Sequence, residues 1–242
     1  MNNTPAQPLS TAPLKGISSM ATRQILAELC GEYRRQTGVA VAMESVGGVD
    51  AAKRVAAGES FDLVVLASDA IDRLIVSGHI RAGSRCDLVH SGVAVAVRTG
   101  QSLPDISTED ALKQTVLAAP RISYSTGPSG VALAQLFERW GIADEIRSRM
   151  VQAPPGVPVG SLVAAGQVDL GFQQLSELLN VPGIAIAGPL PDAVQITTVF
   201  SAGLPSASAS DSPQAEQVRG LLSFMTSASA TAAIERQGMA AA

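Results

Sequence analysis

Apolar residues recur at helical spacing from Ile25 through Leu26, Leu29, Cys30 and Tyr33, which predicts an amphipathic helix burying one stripe. Arg34 and Arg35 suit the C-terminal end of its dipole, and Gly38 stops it. "VAVAME" follows as a strand, "GGVDAAKRVAAG" as a glycine turn with a short helix, and "FDLVVLAS" as a second strand. The near-continuous apolar run of that strand requires cover on both faces. "SDAIDRLIVSGHI" then supplies a capped helix with Ile71, Leu74 and Ile75 inward. Such a β-α-β-α series reads as parallel strands joined by crossover helices.

The alternation continues. "SGVAVAVRTG" is a strand, and "DISTEDALKQTVLAA" a helix capped by Ser107 or Thr108 with acidic residues in its first turn. "RISYS" is a strand, "TGPSGVALAQLFERWG" a glycine-rich turn running into a helix, "GSLVAAG" a short helix and "VDLGFQQ" another strand. "QAEQVRGLLSFMTS" and "SATAAIERQG" read as two final helices. No repeat of solenoid period is present. Residues 1–13, rich in Pro, Ser, Thr and Gln, are expected to form a flexible tail.

Composition narrows this picture. Among 242 residues, 46% are hydrophobic but only 3% aromatic, so the core must be built from Ala, Val, Leu and Ile. The length allows one large domain or two lobes of about a hundred residues each. A net charge of -4 and the lack of any Lys/Arg block exclude a nucleic-acid partner. Cys30 and Cys86 lie far apart with no CxxC or Cys/His grouping, so no metal site and no cofactor is expected. The opening "MNNTPAQPLSTAPLKG" lacks a basic segment followed by an apolar run, and no stretch of about 18 apolar residues occurs. No membrane insertion is expected; the sequence as written predicts a cytoplasmic protein, or a periplasmic one if an export signal has been removed.

Three loops combine small residues with a following helix: Ser18-Ser19-Met20, Gly47-Gly48-Val49 and Ser129-Gly130-Val131. Ser68 opens a further helix and joins them as a candidate. A helix N-terminus presents unpaired N–H groups and about half a positive charge, so it holds an anion without Lys or Arg. Glycine lets the backbone approach the ligand and serine adds a hydroxyl donor. Ordinary capping and turn chemistry is the simpler explanation of any one loop taken alone. Ligands of parallel α/β folds do gather at strand ends, which favours a shared site. GxxxxGK[ST], GxSxG and HExxH are all absent, which leaves nucleotide binding and common hydrolytic chemistry unsupported. His79 and His90 are the only histidines, and His90 stands just before a strand.

From Leu14 onward the chain resembles the type II periplasmic solute-binding proteins, and among them the molybdate-binding branch of ABC importers. The resemblance rests on "SSMATRQILAELCGEYRRQTG", "GGVDAAKRVAAGESFDLVVLASDAIDRLIVSGHI", "ISYSTGPSGVALAQLFERWGI" and "VPVGSLVAAGQVDLGFQQLSEL". It implies a two-lobed α/β fold, mainly parallel sheets flanked by helices, with the ligand cleft between lobes. Lobe I would comprise residues 14–90 plus 197–242, and lobe II residues 91–196. It also implies that Ser18, Ser19, Met20, Gly47, Gly48, Val49, Ser129, Gly130 and Val131 hold the ligand. Gln174 matches a cleft-facing position that is often tyrosine in molybdate binders. "VGGVD" departs from the pattern, since molybdate binders tend to place a second serine there.

The same branch includes aconitate isomerase, and "SGVAVAVR" and "GFQQLSELL" are similar to it. That resemblance implies cis/trans isomerisation of an unsaturated polycarboxylate by allylic proton transfer, with helix N-termini and hydroxyls pinning the carboxylates. His90, or Tyr124 with a neighbour, are the candidates for the base. The alternative is a receptor delivering an oxyanion or organic anion to an ABC permease.

Overall fold

The computed structural model describes residues 12–207 and 212–242. Apart from residues 12 and 13, the expected tail lies outside the described residues. The first lobe opens with β1 (Leu14–Ser19), a 3-10 turn (Met20–Thr22) and α1 (Arg23–Thr37), followed by β2 (Val41–Val46), α2 (Gly48–Ala56), β3 (Leu63–Ala67) and α3 (Ser68–Val76). The long strand β4 (Cys86–Arg98) leads into α4 (Glu109–Ala118), β5 (Ile122–Tyr124), α5 (Pro128–Arg139), α6 (Ala143–Ile146) and β6 (Met150–Gln152). Then come α7 (Val159–Ala164), β7 (Leu170–Gln174), α8 (Leu175–Leu178) and β8 (Ile184–Pro189). The chain returns along β9 (Thr197–Gly203) to α9 (Pro213–Met225), α10 (Thr231–Arg236) and β10 (Met239–Ala241).

The stripe on α1 is buried as its spacing requires: Ile25, Leu26, Leu29, Cys30 and Tyr33 all face the first core. Burial pushes the Cys30 thiol up to about 12, which makes it an inert core residue rather than a nucleophile. Gly38 ends the helix in the left-handed region at φ 78°, and its N–H donates to Arg34 O at 2.8 Å. All five residues of β3 are buried, since helices cover both faces of the sheet there. Thr108 is the cap of α4, its hydroxyl accepting from Ala111 N at 3.1 Å.

The strand order is β2-β1-β3-β9-β4-β7-β5-β6. Both ends of this order are parallel: β1 with β2 and β3, and β5 with β6 and β7. The middle is antiparallel because the crossing strands run back between the lobes. Cys86–Gly92 of β4 pair with β9, whereas Val93–Ala96 pair with β7. β10 adds to the first half of β4 and β8 to the second. β4 therefore leaves one sheet and enters the other at Gly92 and Val93. The protein is a two-lobed α/β structure with a separate apolar core under each half: one built on α1, α9 and β3, another on α4, α5 and β7.

Gln195 fixes the crossing. Its Oε1 accepts from Val93 N at 3.0 Å and Ile196 N at 2.9 Å, and its Nε2 donates to Leu190 O at 3.3 Å. One amide thus ties β4 to the segment that leads into β9, with Val93 N shared between Gln195 Oε1 and Ile196 O at 3.1 Å.

Candidate functional site in the interlobe cleft

A cleft of about 890 Å³ opens between the lobes. The first lobe lines it with Ser19, Met20, Gly47, Gly48 and Val49, and the second with Ser129, Val131 and Gln174. Eight residues singled out in the sequence therefore share one wall system. Ala52, Leu66, Ala70, Leu74 and Phe200 add apolar surface, while Lys53 and Arg73 bring cations. Such a surface suits a small organic anion better than a bare inorganic oxyanion.

The two serines at the end of β1 are used differently. Ser18 is fully buried, and its Oγ lies 2.8 Å from Ser45 Oγ on the neighbouring strand. It does not line the cleft; its hydroxyl is consumed by the β1–β2 pair, which runs Ser18 opposite Ser45. Ser19 is 7% exposed, and its Oγ has no hydrogen-bond partner among the described residues. It sits at the start of the 3-10 turn without capping it; Thr22 Oγ1 instead donates to Ser19 O at 3.1 Å. A buried hydroxyl with nothing to bond is costly, and this one lines the cleft.

Gly48 brings the backbone of α2 close to Ser19; a Cβ added at Gly48 would sit 3.5 Å from Ser19 Cβ. Arg54 clamps the other end of α2, with paired bonds to Glu44 at 2.6 and 2.9 Å and to Glu59 at 2.7 and 2.6 Å. The first-turn N–H groups of α2 are thereby held beside the Ser19 hydroxyl.

On the opposite side, Ser125, Thr126 and Gly127 precede α5 and line the cleft with Ser129, whose Oγ is 3.3 Å from Ser125 Oγ. Gly130 does not face the cleft. Its N–H donates to Gly127 O at 3.0 Å, and a Cβ there would collide with the Ser125 carbonyl oxygen. It is glycine so that α5 can pack on the loop that carries the hydroxyls.

The structure does not bring His90, Tyr124 or Ser68 into the cleft lining either. His90 lies within β4 between β9 and β10, opposite Val199 and Ala240. Its neighbour Ser91 faces Gln174, and successive strand residues point to opposite faces, which turns His90 away. Tyr124 packs against the core of the second lobe. Ser68 stands at the start of α3, whose Asp69, Ala70 and Arg73 take the cleft side.

Gln174 is buried at the crossing. In the amide orientation that satisfies both ends, its Oε1 accepts from Thr198 Oγ1 at 2.8 Å, and its Nε2 donates to Ser91 Oγ at 2.8 Å and Ser91 O at 3.0 Å. It ties β7 to both crossing strands at the floor of the cleft.

Sequence reasoning passed over Glu177. It lines the cleft, half-buried, and Gln173 Nε2 donates to its Oε1 at 2.9 Å. Burial pushes its carboxyl up to about 7, against the opposing pull of the Gln173 amide. Ser125, Thr126 and Thr198 were also missed, although the hydroxyl-rich run "SYSTGPS" was a visible signal for the first two. Among the described residues no three His, Cys, Asp or Glu side chains gather as metal ligands would, and no helix is long and apolar enough to cross a membrane.

Known proteins resemble the chain along almost all of its length. Aconitate isomerase from Pseudomonas sp is 40% identical over 97% of this chain and 89% of that protein. Among solved structures, the periplasmic molybdate-binding protein of Azotobacter vinelandii superposes with a TM-score of 0.75 at 24% identity, over 93% of this chain and 98% of that one. The tungstate-binding protein of Desulfovibrio alaskensis superposes with a TM-score of 0.66 at 15% identity, over 92% and 94%. Bacterial extracellular solute-binding proteins match residues 14–240 as a family, and with the two lobes, the crossing strands and the cleft between them, this chain belongs to that family.

Proposed function

We propose that the cleft binds a small unsaturated polycarboxylate and interconverts its cis and trans isomers, with aconitate as the substrate. The observation that carries this is the 40% identity to aconitate isomerase across 97% of the chain. The geometry fits it. The unpartnered Ser19 hydroxyl beside the start of α2 suits one carboxylate, and the hydroxyls of Ser125 and Ser129 before and within the first turn of α5 suit another. Met20, Gly47, Val49 and Val131 shape the walls between them.

The reaction is a proton shift. Removing a proton from the methylene carbon leaves an anion delocalised over three carbons and the attached carboxylates. Returning the proton to the former vinylic carbon moves the double bond, and the conformation in which the cleft holds the substrate decides the isomer. Donors fixed at the carboxylates stabilise the charge where it develops. Closing of the lobes excludes water from the anion.

Lobe I as residues 14–90 plus 197–242, and lobe II as 91–196, is the division we assign, supported by the change of pairing within β4. Work in the periplasm is supported by the extracellular character of the family. That same character favours a second reading, a receptor that delivers an anion to an ABC permease. Incubation with cis-aconitate separates the two. Isomer formation supports the enzyme; no isomer from any unsaturated di- or tricarboxylate, together with thermal stabilisation by molybdate or tungstate, refutes it.

A further inference from the structure

Among the described residues, four charged side chains line the cleft: Lys53 on α2, Asp69 and Arg73 on α3, and Glu177 on α8. Asp69 is paired with Arg73 at 2.7 Å. Among the described residues, Glu177 is the lining carboxylate without a cationic partner.

Its placement is built from both lobes. Ser176 Oγ donates to Ala21 O at 2.9 Å, which docks α8 on the 3-10 turn two residues beyond Ser19. Gln173 Oε1 accepts from Gly160 N at 3.3 Å while its Nε2 holds Glu177 Oε1. α7 therefore fixes the amide, and the amide fixes the carboxylate. Glu177 Oε2 takes no hydrogen bond from any described residue and is left for the cleft.

We propose that Glu177 is the catalytic base and acid of the isomerisation, with Gln173 as its positioning residue; this rests on the isomerase reading of the cleft. Oε2 takes the proton from the methylene carbon. The electron pair of the broken C–H bond becomes the new C=C bond, and the old π pair takes the proton back at the far carbon. One C–H bond breaks, one forms, and Glu177 ends ionised as it began. No oxidant, reductant or other co-reactant is needed. A carboxyl near 7 is partly ionised at neutral pH and is also a competent acid once protonated.

Glu177→Gln keeps the shape and removes the base. With cis-aconitate and the full chain, followed by proton NMR, kcat is expected to fall about 10²–10⁴-fold. Thermal stabilisation by propane-1,2,3-tricarboxylate, which has no double bond to move, is expected to persist. Glu177→Asp keeps a carboxyl with a shorter reach and is expected to lie between the two. A Gln variant retaining more than about a tenth of the wild-type kcat overturns the proposal. Should the Gln variant fail to fold, a folded Asp variant with undiminished kcat overturns it, and one impaired about tenfold or more with tricarboxylate binding intact supports it. Wild-type protein that binds the tricarboxylate but isomerises nothing refutes the isomerase reading itself, whereas active wild type with an active Gln variant refutes only the role of Glu177.

Discussion

Ser19→Ala removes the hydroxyl of a residue that is 7% exposed, a hydroxyl with no partner among the described residues. A buried donor left unmade costs about 1–3 kcal/mol, so its removal is expected to leave the unliganded protein as stable as wild type or up to about 1 kcal/mol more stable. Ligand binding should respond in the opposite direction. A hydrogen bond to a carboxylate contributes about 1.5–3 kcal/mol, which corresponds to a loss of roughly 10- to 150-fold in tricarboxylate affinity. Ser18→Ala is the internal control, since it breaks the 2.8 Å contact with Ser45 in a fully buried position. That variant is expected to lose about 1 kcal/mol of stability with affinity unchanged, because Ser18 does not reach the cleft. Urea unfolding and titration calorimetry read the two quantities separately. A destabilised Ser19→Ala variant with wild-type affinity would refute the assignment of that hydroxyl to the ligand.

Glu177 makes stability depend on pH. Its carboxyl is raised from 4.5 to about 7 in the fold, so the native state holds the proton more tightly than the unfolded chain does. The resulting stability is fully present below about pH 4.5 and is lost as pH rises through about 7. At about 1.36 kcal/mol per unit this reaches about 3 kcal/mol, reduced to about 2 by solvent access at a half-buried site. Glu177→Gln should therefore match wild type near about pH 4.5 and exceed it by about 2 kcal/mol near about pH 8, and a gap that stays constant with pH contradicts this. Gly130→Ala drives a methyl into the Ser125 carbonyl. It is expected to cost about 1–3 kcal/mol and to weaken ligand binding by displacing Ser125 and Ser129, readable by thermal unfolding and calorimetry.

Much of the fold was legible because local pattern and tertiary role agree. The α1 stripe, the buried run of β3 and the glycine that ends α1 each follow from spacing and burial alone. β4 was less legible: its sequence signal begins at Ser91, but the strand starts at Cys86, because its first half is held by β9 and β10 from the far end of the chain. β10 itself, three residues of "MAA", carries no signal without that partner. In the site, the small-residue loops were visible as motifs. Which of Ser18 and Ser19 reaches the cleft was not, since it turns on Ser45 lying across the pair. Glu177 lies just past the strand "VDLGFQQ" with no pattern around it that marks a role; only the docking of α8 on the turn after Ser19 makes it a cleft carboxylate.

Isomerisation in the cleft shows itself most plainly when the reaction is run from both sides. With a trace of protein, cis-aconitate and trans-aconitate in separate tubes, proton NMR should show the two mixtures converging on one common isomer ratio, many turnovers per molecule. Tubes that each keep their starting isomer, under conditions where the protein binds both, would contradict it.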